Sequence, residues 1–373
     1  MSLFPLNFSN NSEDKIYQMQ EKYQETHDQL QQMILLHDKL KTIKENDVEE
    51  LKEFLNEFFL ADKISLRRAL STISTMINAR PKYVYLYCQL LTHLSARTKF
   101  LFEKHEVSSL FNNKAALLVL LENGLITKDL IKEKFTVYPN ELNFFYPEIE
   151  GTEKPKNIKM IENDELRVYG LNPDQIAESI RNDDLKAFQS ATARLQTLNT
   201  LIRASRYETF DFVSNFGKRP SLIEYAAFFG SINVFKYLLE KGVEAGSTLP
   251  EFAAAGGNVE IIHLLEEDKT LPIGQECNLT AIEFFHRDLN EYFSNLNYEN
   301  SPILNILVSI EHYNMRYFLN NILTEDLSKE DYELCLLYAV NSQNIDVLNL
   351  ILTVPGIDVN RVFEHGVFLN MLI

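Results

Sequence analysis

Glycine and proline are scarce in this chain of 373 residues, which contains 12 of the first and 11 of the second. Loop-rich all-β folds need both residues at their many turns, so the shortage counts against such folds. It also counts against phosphate sites that are lined by glycine-rich loops. Because 45% of the residues are apolar, the chain still has enough hydrophobic material for a core in each of two domains. We therefore predict an all-α protein.

Cysteine is rare as well. Cys88, Cys277 and Cys335 are isolated from one another, odd in number and part of no C-x-x-C pair, so the sequence indicates neither a disulfide framework nor a zinc site. The N-terminal residues lack the basic start and the apolar core of a signal peptide, and no run of 18 apolar residues occurs later. We expect a soluble protein of the cytoplasm, or of the nucleus, that uses no cofactor and no metal.

Basic residues are scarce in the second half of the chain. Residues 1–170 hold 22 Lys and Arg against 25 Asp and Glu, whereas residues 171–373 hold 14 against 28, a net charge of −14 out of the total of −17. Such a charge repels phosphate backbones and anionic lipids, which counts against nucleic acid and membranes as partners. A partner protein with a basic surface is compatible with it, although solubility alone explains the charge equally well.

A helix-hairpin pattern begins at residue 221 and recurs. Residues 221–242 contain an Ala pair, a Gly three residues later and a Leu pair after that, and residues 248–268 repeat the pattern. The matching residues are Ala226 and Ala253, Ala227 and Ala254, Gly230 and Gly257, Leu238 and Leu264, and Leu239 and Leu265. Small residues suit the places where helix backbones approach, a Gly can adopt the left-handed conformation that ends a helix, and the Leu pair covers the neighbouring hairpin.

Further copies follow at unequal spacing. A third good copy covers 338–360, and two weaker ones cover 280–293 and 301–319. The last eight residues, GVFLNMLI, are similar in sequence to SPILNILV at 301–308. The aligned positions in the first helix of each hairpin are Ala226, Ala253, Phe285, Ile306, Ala339 and Met371, which are 27, 32, 21, 33 and 32 residues apart. A mean spacing of about 29 residues is typical of helix-hairpin repeats.

The repeated hairpins resemble the ankyrin repeat, whose pattern is T-P-L-H-x-A-A-x-x-G followed by L-L and a closing G-A-D-x-N. Residues 221–230 match the opening and residues 356–360 match the ending, while Glu224 and Glu251 replace the His of the motif and Leu222 and Leu249 its Pro. The sequences of these hairpins are similar to those of the large ankyrin families of parasitic protists, in which an uncharacterised helical domain precedes the repeats. The resemblance implies five to seven repeats over 172–373, with the last one incomplete.

Residues 1–140 are predicted to form a helical domain of unknown role. An amphipathic stripe over 13–43 places Ile16, Tyr23, Leu30 and His37 seven residues apart. This stripe either forms a coiled coil, and so a dimer, or packs on its own domain, and we favour packing because Tyr and His make a poor zipper. Further helices are predicted over 65–79, 83–102, 113–123 and 127–135, with a break at Arg80–Pro81. Regular periodicity then fades over 141–171, which we interpret as a linking segment that packs against a neighbour.

Candidates for catalysis are few. Glu283, His286 and Asp288 lie close together in sequence, but their spacing is not that of H-E-x-x-H, and solvated or capping side chains are the simpler interpretation. We interpret His263 as a residue that stabilises its repeat. We interpret Cys335 as a small buried residue, because the sequence shows no base beside it that could activate its thiol as a nucleophile. No glycine-rich nucleotide loop and no G-x-S-x-G motif occurs. We therefore expect no enzyme.

The resemblance implies a binding role. In ankyrin proteins the concave face is formed by turn tips and by the two residues before the Gly of the motif. Here these residues are Phe228 and Phe229, then Ala255 and Gly256, then weakly Arg287 and Asp288, and finally Asn341 and Ser342, while Lys218 and Arg219 add positive charge nearby. Phe228 and Phe229 are either exposed interface anchors or are covered by the N-terminal domain.

The expected function is therefore that of an interaction module or adaptor that binds another protein through its repeats, and a monomer is favoured over a dimer. Two alternatives stay open. One is an enzyme or effector with its activity in residues 1–140 and repeats that select the substrate. The other is a structural scaffold that dimerises through residues 13–43.

Overall fold

A computed structural model describes residues 13–145, 148–149, 165–210, 212, 219–267, 271, 273–296, 301–322, 324–354, 356–357 and 359. In these ranges the chain is helical, and its only β-structure is an isolated bridge between Leu201 and Ser221. The all-α prediction is confirmed. None of the described helices is both long enough and apolar enough to cross a membrane.

Contacts divide the chain into two compact units, which we call the larger unit (Leu36–Pro272) and the smaller unit (Met1–Leu35 with Ile273–Ile373). The sequence had placed all of residues 1–140 in one domain. The difference arises because side chains of the first helix, Leu30, Met33 and Ile34, pack into the core of the smaller unit, and local periodicity does not show such a distant contact. The linking segment predicted at 141–171 falls within the larger unit, and most of it lies outside the described residues.

The described residues form twenty α-helices. Their bounds are α1 Glu13–Lys41, α2 Val48–Phe58, α3 Lys63–Ala79, α4 Val84–Leu101, α5 Lys104–Leu110, α6 Lys114–Glu122, α7 Lys128–Lys134, α8 Glu165–Tyr169, α9 Gln175–Arg181, α10 Leu185–Thr192, α11 Leu222–Phe228, α12 Ile232–Glu240, α13 Leu249–Gly256, α14 Val259–Glu266, α15 Gln275–Glu283, α16 Arg287–Ser294, α17 Pro302–Glu311, α18 Met315–Asn321, α19 Lys329–Asn341 and α20 Ile345–Ile351. The predicted break between α3 and α4 is present, because Arg80 and Pro81 stand between them.

Helix α4 is the centre of the first part of the larger unit, where it packs against α2, α3, α6 and α8. Its Tyr87 is fully buried, and the hydroxyl donates a hydrogen bond to the backbone oxygen of Leu40 at 3.0 Å. Leu30, Met33, His37 and Leu40 on α1 are all buried within the chain. From Leu30 onward the stripe of α1 therefore packs internally, while the side chains of Ile16 and Tyr23 lie outside the described ones.

Six helix hairpins follow, three in each unit. Those of the larger unit are α9 with α10, α11 with α12, and α13 with α14, and those of the smaller unit are α15 with α16, α17 with α18, and α19 with α20. Each hairpin turns through one residue with positive φ, and these residues are Asp183, Gly230, Gly257, Phe285, Tyr313 and Gln343. From Gly230 on they are 27, 28, 28 and 30 residues apart. The repeat is thus more regular than the sequence suggested.

The register predicted for two hairpins is wrong. In most hairpins the N–H after the positive-φ residue bonds a carbonyl of the first helix, as from Ser231 to Ala226 at 2.9 Å. The equivalent bonds, from His286 to Ala281 and from Asn314 to Ser309, show that Ala281 and Ser309 correspond to Ala226. The sequence had aligned Phe285 and Ile306 there. It failed because no Gly marks these turns, and non-Gly residues with positive φ are uncommon. The counterpart predicted at Met371 lies outside the described residues.

Small residues lie where the first helices of neighbouring hairpins meet, as predicted. Helices α11 and α13 pack closely, and Ala226, Ala227, Ala253 and Ala254 are fully buried. A Cβ on Gly256 would lie 2.0 Å from the backbone oxygen of Ala227, so only Gly permits this approach of the two backbones. This contact sets the packing distance between the two hairpins.

An Asn at the start of the second helix ties several hairpins to the preceding one. The side-chain amide of Asn258 donates to the backbone oxygen of Gly230 at 3.0 Å, and that of Asn314 donates to Ile282 at 2.8 Å. The same two side chains accept hydrogen bonds from the first N–H groups of their own helices, which caps them. Both functions need the amide, which donates and accepts at once.

Candidate functional site

The predicted aromatic pair is buried. Phe228 is 5% exposed and Phe229 is 8% exposed. The ring of Phe228 stacks on that of Phe212 with centroids 5.6 Å apart, and Phe252 lies edge-on to it. Of the two alternatives, exposed anchors or covered rings, the structure shows covered rings. A role of these residues in binding stays a prediction.

Lys82, which lies between α3 and α4, contributes to this cover. Its Nζ lies 5.7 Å from the centroid of the Phe229 ring and donates to the backbone oxygen of Phe229 at 3.3 Å. Burial lowers the pKa of this ammonium group, while the nearby carboxylate of Asp183 opposes the shift. The helical N-terminal region thus contacts the second hairpin at the position where the sequence suggested a binding face.

The other predicted site residues differ in exposure. Ala255 is buried, Asn341 is exposed, and Ser342 is half-buried with its hydroxyl donating to the backbone oxygen of Tyr338 at 2.7 Å. Arg219 is exposed and donates to the backbone oxygen of Ile202 at 3.4 Å. Lys218 lies outside the described residues. Among the described residues of this set, Arg219, Asn341 and Ser342 are therefore the accessible ones.

The corrected register changes which residues belong to this face. We call the two residues before each positive-φ residue the pre-turn positions. In the first two hairpins of the smaller unit they are Glu283 with Phe284 and Glu311 with His312, and not Arg287 with Asp288 as predicted. Sequence reasoning missed Glu283 as a pre-turn residue because it expected a Gly after the pair.

Glu283 and Glu311, which we call the acidic pair, form a small polar cluster with His312. The Nδ1 atom of His312 lies 3.7 Å from Oε1 of Glu283, and the two side chains are 31% and 33% exposed. Burial and the charge of Glu311 raise the pKa of Glu283 to about 7. Burial also raises the pKa of Glu311 and lowers that of His312 to about 4.

The electrostatic consequence is that His312 is neutral at pH 7 and does not compensate the acids. Glu283 is then about half ionised, and Glu311 makes no hydrogen bond or ion pair with a described residue. Two carboxyl groups in one place, with one of them poised near neutral pH, are suited to receive a cationic group from outside. A cation placed there would lower the pKa of Glu283 and release its proton.

The remaining candidates for chemistry are not brought together. Glu283 faces His312 and not His286, and His263 pairs with Glu266 at 3.0 Å on its own helix. Cys335 is fully buried and burial raises the pKa of its thiol, so it is not activated as a nucleophile. Within the described part of the chain, no three His, Cys, Asp or Glu side chains are arranged to hold a metal ion.

Comparisons with protein-family models, with curated proteins and with solved structures find no match to this chain. The resemblance to ankyrin repeats therefore stays a prediction from the sequence pattern.

Proposed function

We propose that the chain is a protein-interaction module whose hairpins are ankyrin-like repeats, and that the pre-turn positions of the smaller unit bind a basic segment of a partner. The observation that carries the proposal is the acidic pair. Glu283 and Glu311 occupy the same position in consecutive hairpins, both are partly accessible, and His312, the base that lies beside Glu283, is held neutral.

Regular hairpins are well suited to this function because each contacts its neighbours and presents the same position at a fixed spacing. In the smaller unit α15 packs against α17, and α17 against α19. The pre-turn residues of three hairpins thereby lie at the C-terminal ends of packed helices. A rigid surface loses little conformational entropy when it binds an extended segment.

The charge of the surrounding chain supports a basic partner. Residues 273–373 contain 14 Asp and Glu but only 4 Lys and Arg. One of these four, Arg287, is paired with Glu291 at 2.7 Å, and another, Lys329, lies 3.6 Å from Glu333. The excess of acid attracts cationic segments over several ångströms and accelerates their association, an effect that salt weakens.

The proposal is tested with the full chain and a panel of Lys- and Arg-rich peptides of about ten residues, with binding measured by fluorescence anisotropy. We expect the variant Glu283→Gln with Glu311→Gln to weaken binding at least about fivefold, because about 1 kcal/mol is lost when a partly buried ion pair is removed. The control variant is Glu276→Gln with Glu330→Gln, which removes two exposed acids of the same unit.

The control should change the affinity less than twofold. If both variants weaken binding equally, the acid excess acts without a defined site and the proposal is wrong. If no basic peptide binds to the wild-type chain, the proposal is equally wrong.

A further inference from the structure

A pocket of about 260 Å³ in the larger unit is lined by an unusual number of cations for so acidic a protein. Its walls come from the start of α6, the 3-10 helix Pro139–Phe145, the segment 202–208 and Arg219 with Pro220. The charged residues that line it are Lys114, Glu141, Arg203, Arg206, Glu208 and Arg219. We call it the arginine pocket after the three arginines.

Two of the six charges cancel each other. The Nζ atom of Lys114 forms a short ion pair with the carboxylate of Glu141. The side chain of Lys114 is 11% exposed and that of Glu141 is 44% exposed, so only the lysine end of this pair is shielded from water. The three arginines and Glu208 are left to determine the charge of the pocket.

Glu208 is occupied by interior partners. It is 4% exposed, and its carboxylate accepts a hydrogen bond from the hydroxyl of Tyr225 at 3.2 Å. That hydroxyl in turn accepts a hydrogen bond from Nη1 of Arg181 at 3.0 Å. Glu208 forms no ion pair with Arg203, Arg206 or Arg219 among the described contacts, so the three guanidinium groups keep their charge available.

Arg206 contributes an uncompensated charge to the wall of the pocket. Its Nη2 donates to the hydroxyl of Tyr207 at 3.0 Å, and the guanidinium lies over the Tyr207 ring at 4.9 Å. Its Nε and Nη1 atoms are buried and have no hydrogen-bond partner among the described residues. No described carboxylate forms an ion pair with Arg206, so an anion in the pocket would be attracted by its uncompensated charge.

The two neighbouring arginines are also free to bind. Arg203 is exposed and its side chain makes no hydrogen bond or ion pair with a described residue, while Arg219 has only the 3.4 Å bond to the backbone of Ile202. Guanidinium groups bind the oxygens of carboxylates and phosphates in pairs of parallel hydrogen bonds. Three of them around one small space provide more donors than a carboxylate can accept.

We propose that the arginine pocket binds the phosphate group of a small phosphorylated ligand. A dianionic phosphate matches the charge of three arginines and Glu208 better than a singly charged carboxylate does. The volume lies just below the lower limit of about 300 Å³ for ordinary small-molecule sites, which suits one phosphate with a few further atoms. This site is independent of the acidic pair, so either proposal can fail without the other.

Isothermal titration calorimetry of the full chain tests the ligand chemistry. The probes are inorganic phosphate, glycerol 3-phosphate, a phosphoserine peptide of about nine residues, and acetate as a singly charged control. We expect phosphate and glycerol 3-phosphate to bind and acetate to bind at least about tenfold more weakly. If the peptide binds more tightly than both small phosphates, the phosphate belongs to a modified protein and the small-ligand assignment is overturned. Absence of phosphate binding overturns the proposal as a whole.

Variants locate the binding. Arg206→Gln and, separately, Arg203→Gln should each raise the Kd for phosphate at least about tenfold, because each variant removes a charge-assisted hydrogen bond to the anion. Arg203 is exposed, so its variant is expected to fold even if Arg206→Gln does not. Arg194→Gln removes an exposed arginine that does not line the pocket and serves as the matched control.

The control should bind phosphate within twofold of the wild-type chain. Equal losses in all three variants would show that phosphate responds only to net charge. Unchanged binding in both pocket variants would show that it binds elsewhere. Either result would contradict the assignment.

Discussion

Replacing Glu208 by Gln should make the protein more stable at alkaline pH and leave it unchanged at acid pH. Burial raises the pKa of Glu208 from its usual 4.5 to about 7, although Arg181 and the hydroxyl of Tyr225 oppose the shift. Below pH 4.5 the carboxyl is protonated in both the folded and the unfolded chain. Between pH 4.5 and about 7 it is ionised only in the unfolded chain, so the free energy of unfolding falls as the pH rises.

The size of this loss follows from the shift. One pKa unit corresponds to about 1.4 kcal/mol, so a carboxyl shifted from 4.5 to about 7 lowers the free energy of unfolding by about 3 kcal/mol above pH 7. Gln has nearly the same shape as the protonated acid and cannot ionise. Glu208→Gln should therefore equal the wild-type chain near pH 4 and exceed it by about 3 kcal/mol near pH 8.

Urea denaturation at pH 4 and pH 8 measures the difference between the variant and the wild-type chain. Glu283 and His312 have shifted pKa values as well, but they are present in both proteins and cancel in the comparison. Glu178→Gln, which removes an exposed carboxylate of the same unit, controls for net charge. A Glu208→Gln variant with the same advantage at both pH values, or with none at pH 8, would refute the burial argument.

Three further predictions concern the packing of the hairpins. Gly256→Ala should destabilise the protein by about 1–3 kcal/mol, because the new Cβ would meet the backbone oxygen of Ala227, although a Gly→Ala change usually stabilises a helix. A Cβ at Gly274 would meet nothing within 4 Å, so the control variant Gly274→Ala should be nearly neutral in the same thermal denaturation. Gly230→Val should lower Tm by at least about 3 °C, because φ is +64° and a β-branched residue is strained there; an unchanged Tm would contradict the assigned turn. Phe228→Ala should lower the free energy of unfolding by about 3–5 kcal/mol, because the ring is buried. Asn341→Ala, at the equivalent but exposed position, should lower it by less than about 0.5 kcal/mol. Similar values for the two variants would show that the Phe228 ring is not part of the core.

Local pattern was sufficient to predict the helices and most hairpins. The break at Arg80–Pro81, the glycine turns at Gly230 and Gly257 and the buried Ala pairs all depend on residues near one another in sequence. The register failed at Phe285 and Tyr313, where the surrounding helices hold a non-Gly residue in the left-handed conformation. A signal was present one residue after the turn, since Asn258, Asn314 and Asn344 recur there.

The candidate sites depend on contacts between distant segments. The sequence identified Arg219 and the acid excess, but it did not show that Arg219 lies beside Arg203, Arg206 and Lys114. These four residues come from three separate segments of the chain. It also left open whether Phe228 and Phe229 are exposed, because only the fold places Phe212 and Lys82 against them. Periodicity shows which face of a helix is buried, but it does not show which other segment covers that face.

The most direct test of the interaction proposal is the pH dependence of binding to the acidic pair. The affinity of the full chain for a Lys-rich peptide is measured at pH 6 and pH 8, for the wild-type chain and for Glu283→Gln. Because the pKa of Glu283 is raised to about 7, this carboxyl is mostly protonated at pH 6 and mostly ionised at pH 8. We predict that the wild-type chain binds the peptide more tightly at pH 8 and that the variant loses this difference. An equal pH dependence in both proteins would contradict the account.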